Sequence, residues 1–283
     1  MSENSTATQR IKARLARAKR ICREGDDFLV RLAVDEMLER LAGIERHFGE
    51  ALALFAGGEY LASQLATHER VGSVTRLEID ALADLNDFGL TDQSLDLIVA
   101  PLSLHFLEDL PGAFVQLRRA LRPDGLLLAM LPGPETLAEL RASLLQAESA
   151  VTGGAAQRVD AFTDIRDAGG LLQRAGFALP VLDSETVTVR YDNMTKLIAD
   201  LRRMGASGVS TAGRGPGLNR EAVAQAISHY SENFADADGR VRATFQLVSL
   251  SGWAPDASQQ KPLKPGSAKA RLADALKTDE RKL

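Results

Sequence analysis

The sequence predicts a doubly wound α/β fold: a mostly parallel sheet with helices on both faces and an antiparallel last strand. Three stretches carry that expectation. In Leu117–Met130 (LRRALRPDGLLLAM) an amphipathic helix reaches a Pro-Asp-Gly turn and passes directly into an apolar strand. Pro123 and Gly125 are read as stopping the helix, and Leu126–Leu131 is apolar enough to be covered on both faces. Upstream, Leu95–Ala100 (LDLIVA) is a second strand of buried type, followed by the loop PLSLHFLEDL. Downstream, a helical stretch separates two late strands, FALPVLDSETVTVRY and ATFQLVSLSGW, so the last strand must fold back into the sheet.

In chain order, residues 1–8 are polar and expected to be disordered. Helices follow at about 9–23 and 27–43, the second with Phe28, Leu29, Leu32, Val34, Leu38 and Leu41 near helical spacing. Ala51–Phe55 (ALALF) reads as a short buried strand, Ala56-Gly57-Gly58 as a turn, Glu59–His68 as a helix and Val74–Ile79 as a strand. The polar run from Asp80 to Ser94 leads into the Leu95 strand, and Pro111–Leu121 is the crossover helix. Gly133-Pro134 is expected to open a further helix, with proline in its first turn, and Leu137, Leu140, Leu144 and Leu145 form its apolar stripe. A helix at 165–175 ends at Gly176, a glycine placed to close it with a positive φ. Strand FALPVLDSETVTVRY, helices at about 193–204 and 220–233 around a glycine-rich connector (205–217), and strand Ala243–Trp253 complete the pattern. The expected organisation is an N-terminal helical region at 1–45, a domain at 46–254 with a helical insertion at 193–233, and a tail at 255–283.

Composition sets limits. Of 283 residues, 45% are hydrophobic and 25% charged, ordinary values for a globular chain with a full core. A net charge of −4 provides no global field to recruit nucleic acid. The single cysteine, Cys22, excludes an intrachain disulfide and fits a reducing cytoplasm. No apolar run reaches the roughly 18 residues a transmembrane helix needs, and the polar Met1–Arg10 has no secretory character. Basic residues cluster from Arg10 to Arg23, interleaved with Ile11, Leu15 and Ile21. That helix either docks on an acidic partner, a lipid surface or RNA, or is simply solvated. The four histidines show no metal-ligand spacing.

With these motifs in place, the chain resembles the class I S-adenosylmethionine-dependent methyltransferases. More closely it resembles the group that contains the mitochondrial complex I assembly factor that hydroxylates an arginine, and the BioC-type methyltransferases. The resemblance runs from about Asp84 to Trp253. It is carried by LADLNDFGLTDQSLDLIVAPLSLHFLEDL, LRRALRPDGLLLAM, GPETLAELRASLLQAE, LLQRAGFALPVLDSE, DLRRMGAS and ATFQLVSLSGWAPD. It implies a Rossmann-like class I methyltransferase sheet, here shortened between strands 1 and 4. It also implies S-adenosyl-L-methionine as cofactor and a small-molecule or protein methyl acceptor.

On the family pattern, Ala53 stands where motif I has an acid, and Phe55 and Glu59 where it has its outer glycines. Gly57 falls on the middle glycine, with Gly58 beside it. Two registers compete for the shortened stretch. If Val74–Ile79 is strand two, Asp80 is the acid at its end that holds the ribose; if the strand-three loop is present instead, Asp84 takes the adenine-contacting place. Leu102, Ser103 and His105 match the family's Ser-Leu-His loop beside the methionine end of the cofactor, where the histidine is a candidate base. Two functions follow. One is a working methyltransferase. The alternative is a cofactor-less relative that acts as an assembly or scaffolding factor for a respiratory-type complex, with a partner surface at the basic helix or the 205–217 connector.

Overall fold

A computed structural model describes residues 9, 11–13, 16, 28–54, 59–107, 109–160, 162, 164–206 and 217–260. Residues 1–8, most of the basic 9–23 stretch, the Ala56-Gly57-Gly58 turn, the heart of the glycine-rich connector and the tail from 261 lie outside them. The elements run α1 (Phe28–Ala42), β1 (Phe48–Leu54), α2 (Tyr60–Thr67), β2 (Val71–Leu77), β3 (Leu95–Pro101), α3 (Leu110–Ala120) and β4 (Leu121–Pro132). Then come α4 (Ala138–Thr152), α5 (Ile165–Arg174), β5 (Ala178–Tyr191), α6 (Met194–Arg203), α7 (Arg220–Phe234) and β6 (Val241–Trp253).

Six strands form one sheet in the order β2-β1-β3-β4-β6-β5. β2, β1, β3 and β4 are parallel, and β6 is antiparallel to both of its neighbours, β4 and β5. This is the doubly wound arrangement with its outermost strand beyond β2 absent among the described residues. Of the two registers open in the sequence, the one that keeps strand two is realised: residues 71–77 pair along β1, three residues earlier than hydropathy indicated. Glycine permits that shift. A Cβ on Gly72 would lie 2.5 Å from the Gly49 carbonyl oxygen on the facing strand, so only glycine fits there.

Strand alternation divides the core into two layers. Leu97, Val99, Leu126, Leu128 and Met130 pack with buried residues of α1, α2, α4, α6 and α7. Ile98, Ala100, Leu127, Ala129 and Leu131 pack with α3, α5 and the buried Leu82, Leu85 and Phe88 of the β2–β3 connection. Ile11 belongs to this second layer, and the Lys12 ammonium donates to the Leu82 carbonyl, so this part of the basic segment rests on the domain. On the first face, Arg40 of α1 pairs with Glu36 at 2.7 Å and with Asp183 of β5 at 2.9 Å.

Two local expectations are corrected. The Pro-Asp-Gly turn does not close α3. That helix already ends at Ala120, and the turn is the irregular start of β4. There Asp124 has φ 61°, and its N–H and the Gly125 carbonyl exchange hydrogen bonds with Ala254 after β6. The residue before a proline is biased away from helix, so the chain goes straight into extended structure. Likewise Pro134 does not open α4. Residues 134–137 form a turn, and the helix begins at Ala138 after Leu137, which is left-handed at φ 58° and donates its N–H to Thr244.

Candidate functional site

Strand order reverses between β1 and β3: α2 carries the chain outward from β1 to β2, and the next connection returns it past β1 to β3. In open α/β sheets the crevice outside the carboxyl ends of the strands at such a point is where ligands bind. Here β1 ends at Leu54, and Gly57 and Gly58 beyond it lie outside the described residues. β3 ends at Pro101, followed by Leu102, Ser103 and a 3-10 turn, Leu104–Phe106. These three sequence-identified positions, Leu102, Ser103 and His105, do share one loop at the crevice.

That loop has the marks of a ligand site. Leu102 is held at φ 44° by its N–H donating to the Met130 carbonyl on β4. A non-glycine residue in that region is destabilising by about 1–3 kcal/mol and persists only where surrounding structure enforces it. Ser103 is 2% exposed, yet its hydroxyl has no hydrogen-bond partner among the described residues. The His105 ring stacks obliquely on Phe106, with centroids 4.0 Å apart, and meets Phe162 edge-on at 6.1 Å.

The acids are distributed differently from expectation. Asp80 sits in the 3-10 turn Ile79–Ala81. Asp84 is exposed and turned to its own loop, accepting from the Asn86 backbone at 3.0 Å and the Asn86 side chain at 3.2 Å. The acid that directly follows the last paired residue of β2 is Glu78, which sequence reading missed. Its carboxylate lies 3.2 Å from Arg76, whose other nitrogen reaches Glu59. The hydrogen bond to Glu78 is the main reason the Arg76 guanidinium is held above its ordinary pKa. The available signal was spacing: an acid about twenty residues after the glycine turn suits a ribose contact.

Asp96, Tyr191 and Trp253 hold the structure together. Asp96 accepts from the Glu50 backbone N–H and from Arg122, both at 2.9 Å, tying β1 to the start of β4. Tyr191 donates to buried Asp200 at 2.8 Å, and burial, then Asp200, pushes its phenol pKa upward, so it serves as a donor. Trp253 lies beside the Arg46 guanidinium. A cleft of about 450 Å³ opens between α4 and a strap to which residues 155–159 and Phe162 contribute. Arg141 of α4 lines it, donating to the Pro134 and Thr136 carbonyls at 3.1 Å each. Glu148 anchors the strap through the Ala156 N–H and Arg158, and the Arg158 hydrogen bond is the chief cause of its lowered pKa. Among the described residues, no helix is long and apolar enough to cross a membrane. Nor do any three His, Cys, Asp or Glu side chains cluster there as a metal site.

Comparison with known proteins agrees with this geometry. Residues 50–129 match the methyltransferase domain family. The mitochondrial arginine-hydroxylase NDUFAF5 of Danio rerio is 33% identical over 89% of this chain and 83% of its own length. Its Dictyostelium discoideum counterpart is 41% identical over 71% of this chain, which spans only 46% of that longer protein. A malonyl-acyl-carrier-protein O-methyltransferase of Laribacter hongkongensis is 38% identical over 65% of this chain and 59% of that protein. A methyltransferase-type sheet, the loop after β3 and near full-length similarity together place the chain in the NDUFAF5 family of methyltransferase-domain proteins.

Proposed function

We propose that this protein is a methyltransferase that binds S-adenosylmethionine in the crevice between β1 and β3, with the acceptor approaching from the His105 side. The observation that carries the reading is the Ser103 hydroxyl, buried at the switch point without a partner among the described residues. A buried polar group left unpaired is destabilising by about 1–3 kcal/mol, and a polar ligand in the crevice relieves it. When bound, the cofactor supplies an electrophilic methyl group on a sulfonium sulfur.

The chain's own residues do the rest. Ser103 donates to the amino-acid end of the ligand, and Leu102 forms a wall fixed by β4. Gly57 and Gly58 let the turn approach closely. Glu78, ahead of Asp80 and Asp84, accepts from the ribose hydroxyls. His105 orients the acceptor or takes its proton, while Phe162 keeps water from that ring. Rate enhancement then rests on positioning the acceptor. The acceptor is a small molecule or a protein side chain, met in the reducing cytoplasm that lone Cys22 suits.

One observation favours the second reading, a cofactor-less assembly or scaffolding factor for a respiratory-type complex. Arg76 already bridges Glu59 and Glu78, so the acid beside the crevice comes with a cation attached. Calorimetric titration of the full chain with S-adenosylmethionine and S-adenosylhomocysteine decides between the two. The methyltransferase reading expects one-to-one binding, weakened about tenfold by Ser103→Val, in line with one lost hydrogen bond, and abolished by Gly57→Trp. A flat titration at millimolar ligand leaves only the scaffold.

A further inference from the structure

The cleft between α4 and the strap carrying residues 155–159 and Phe162 has a charge distribution that points to a ligand class. Its walls are mostly apolar, with Pro134, Leu144, Val159 and Phe162 among them, and Leu145 on its rim of α4 is 55% exposed. Two arginines line it in different electrostatic states. Arg158 is neutralised by Glu148, with both side chains largely buried. Arg141 makes no ion pair among the described residues; its two hydrogen bonds go to the neutral carbonyls of Pro134 and Thr136. A guanidinium has five N–H donors, so the Nε–H and one hydrogen on each Nη of Arg141 are left over. Its position just inside the N-terminal end of α4 sets a cation against the helix dipole. Every local term therefore calls for an anion at this point.

We infer that the cleft binds an amphiphilic small molecule, with Arg141 gripping its anionic end-group and Leu144, Val159 and Phe162 covering its apolar body. This inference deepens the methyltransferase reading and rests on it, because Phe162 joins the cleft to His105. The anion is the handle of the acceptor and not the atom methylated, since charge-assisted hydrogen bonds from a guanidinium make the oxygens they engage poorer nucleophiles. The reacting atom lies further along the molecule, toward His105.

The test uses octanoate with two matched probes, neutral octanamide and cationic octylamine, titrated into the full chain. Octanoate is expected to bind at least about tenfold more tightly than octanamide, the size of a charge-assisted hydrogen bond, and octylamine most weakly. Arg141→Gln brings octanoate down to the octanamide level, whereas Arg141→Lys keeps most of the preference. Arg141 also braces the 134–136 turn, so the wild-type ranking of the three probes stands as a test without any variant. Equal affinity for octanoate and octanamide, no binding of either at millimolar concentration, or a preference that survives Arg141→Gln overturns the inference. A parallel titration with S-adenosylmethionine separates the two readings. Cofactor binding with no anion preference removes only the handle. An anion preference with no cofactor binding keeps the cleft and removes the methyltransferase.

Discussion

β4 and β2 are both parallel members of one sheet, yet they are built differently. From Gly125 to Pro132 every residue of β4 is buried, whereas in β2 only Val71 is. β4 has β3 and β6 as neighbours and helices over both faces; β2 has β1 alone on one side, and the strand that would flank it is absent among the described residues. β4 therefore contributes far more apolar burial than β2, and apolar burial is the dominant favourable term in folding. The front flank is left thin at the edge where the crevice opens. A chain can lose a strand there and keep its fold, and the loss falls on ligand-binding geometry.

The contrast makes measurable demands. Leu127→Ala, at a fully buried site in β4, is expected to lower stability by about 2–5 kcal/mol in urea denaturation. A loss below about 1 kcal/mol would mean that the rear flank is loosely packed. Next in size is Asp96→Ala, which cuts the tie between β1 and β4. We expect about 1–2 kcal/mol, at the low end for a charged hydrogen bond because Arg122 is 43% exposed. Val74→Ala on half-buried β2 should change stability by no more than about 1 kcal/mol. If it matches Leu127→Ala, the two flanks are energetically alike and the contrast fails.

The smallest effect is local and concerns the strap. Arg158 lowers the folded-state pKa of Glu148, so the tie contributes in full above the unfolded carboxylate value of about 4.3. It is lost as pH falls through the lower, folded value. Hydrogen exchange at the Ala156 amide, which Glu148 accepts from, should accelerate across that window beyond the intrinsic pH trend. Glu148→Gln should remove the extra acid dependence, and a strap equally protected in both proteins would show that the carboxylate does not hold it.

The rear flank is readable in the sequence because a strand covered on both faces must be continuously apolar, and LDLIVA and LLLAML meet that demand. Gly176 closing α5 with φ 86° was likewise visible. Boundaries were harder to read. β4 begins at Leu121 because Ala254, far along the chain, pairs with the Pro-Asp-Gly backbone; α4 begins late because Thr244 holds Leu137 left-handed. Each depends on a partner more than a hundred residues away. For the site, the resemblance singles out Leu102, Ser103 and His105, but it points to Asp80 as the acid after β2 because hydropathy ends that strand at Ile79, two residues past Leu77.

Alternating and continuous runs of apolar side chains determined the sheet, its two helical layers and the returning last strand, since burying those residues leaves few other arrangements. The candidate loop after β3 was legible only through its likeness to the family's Ser-Leu-His stretch. Only the tertiary structure decided which polar groups were left without company. The Ser103 hydroxyl and the Arg141 charge stand out because, among the described residues, nothing pairs with that hydroxyl and no carboxylate balances that charge. Such a deficit depends on the positions of residues distant in sequence, so no local pattern records it.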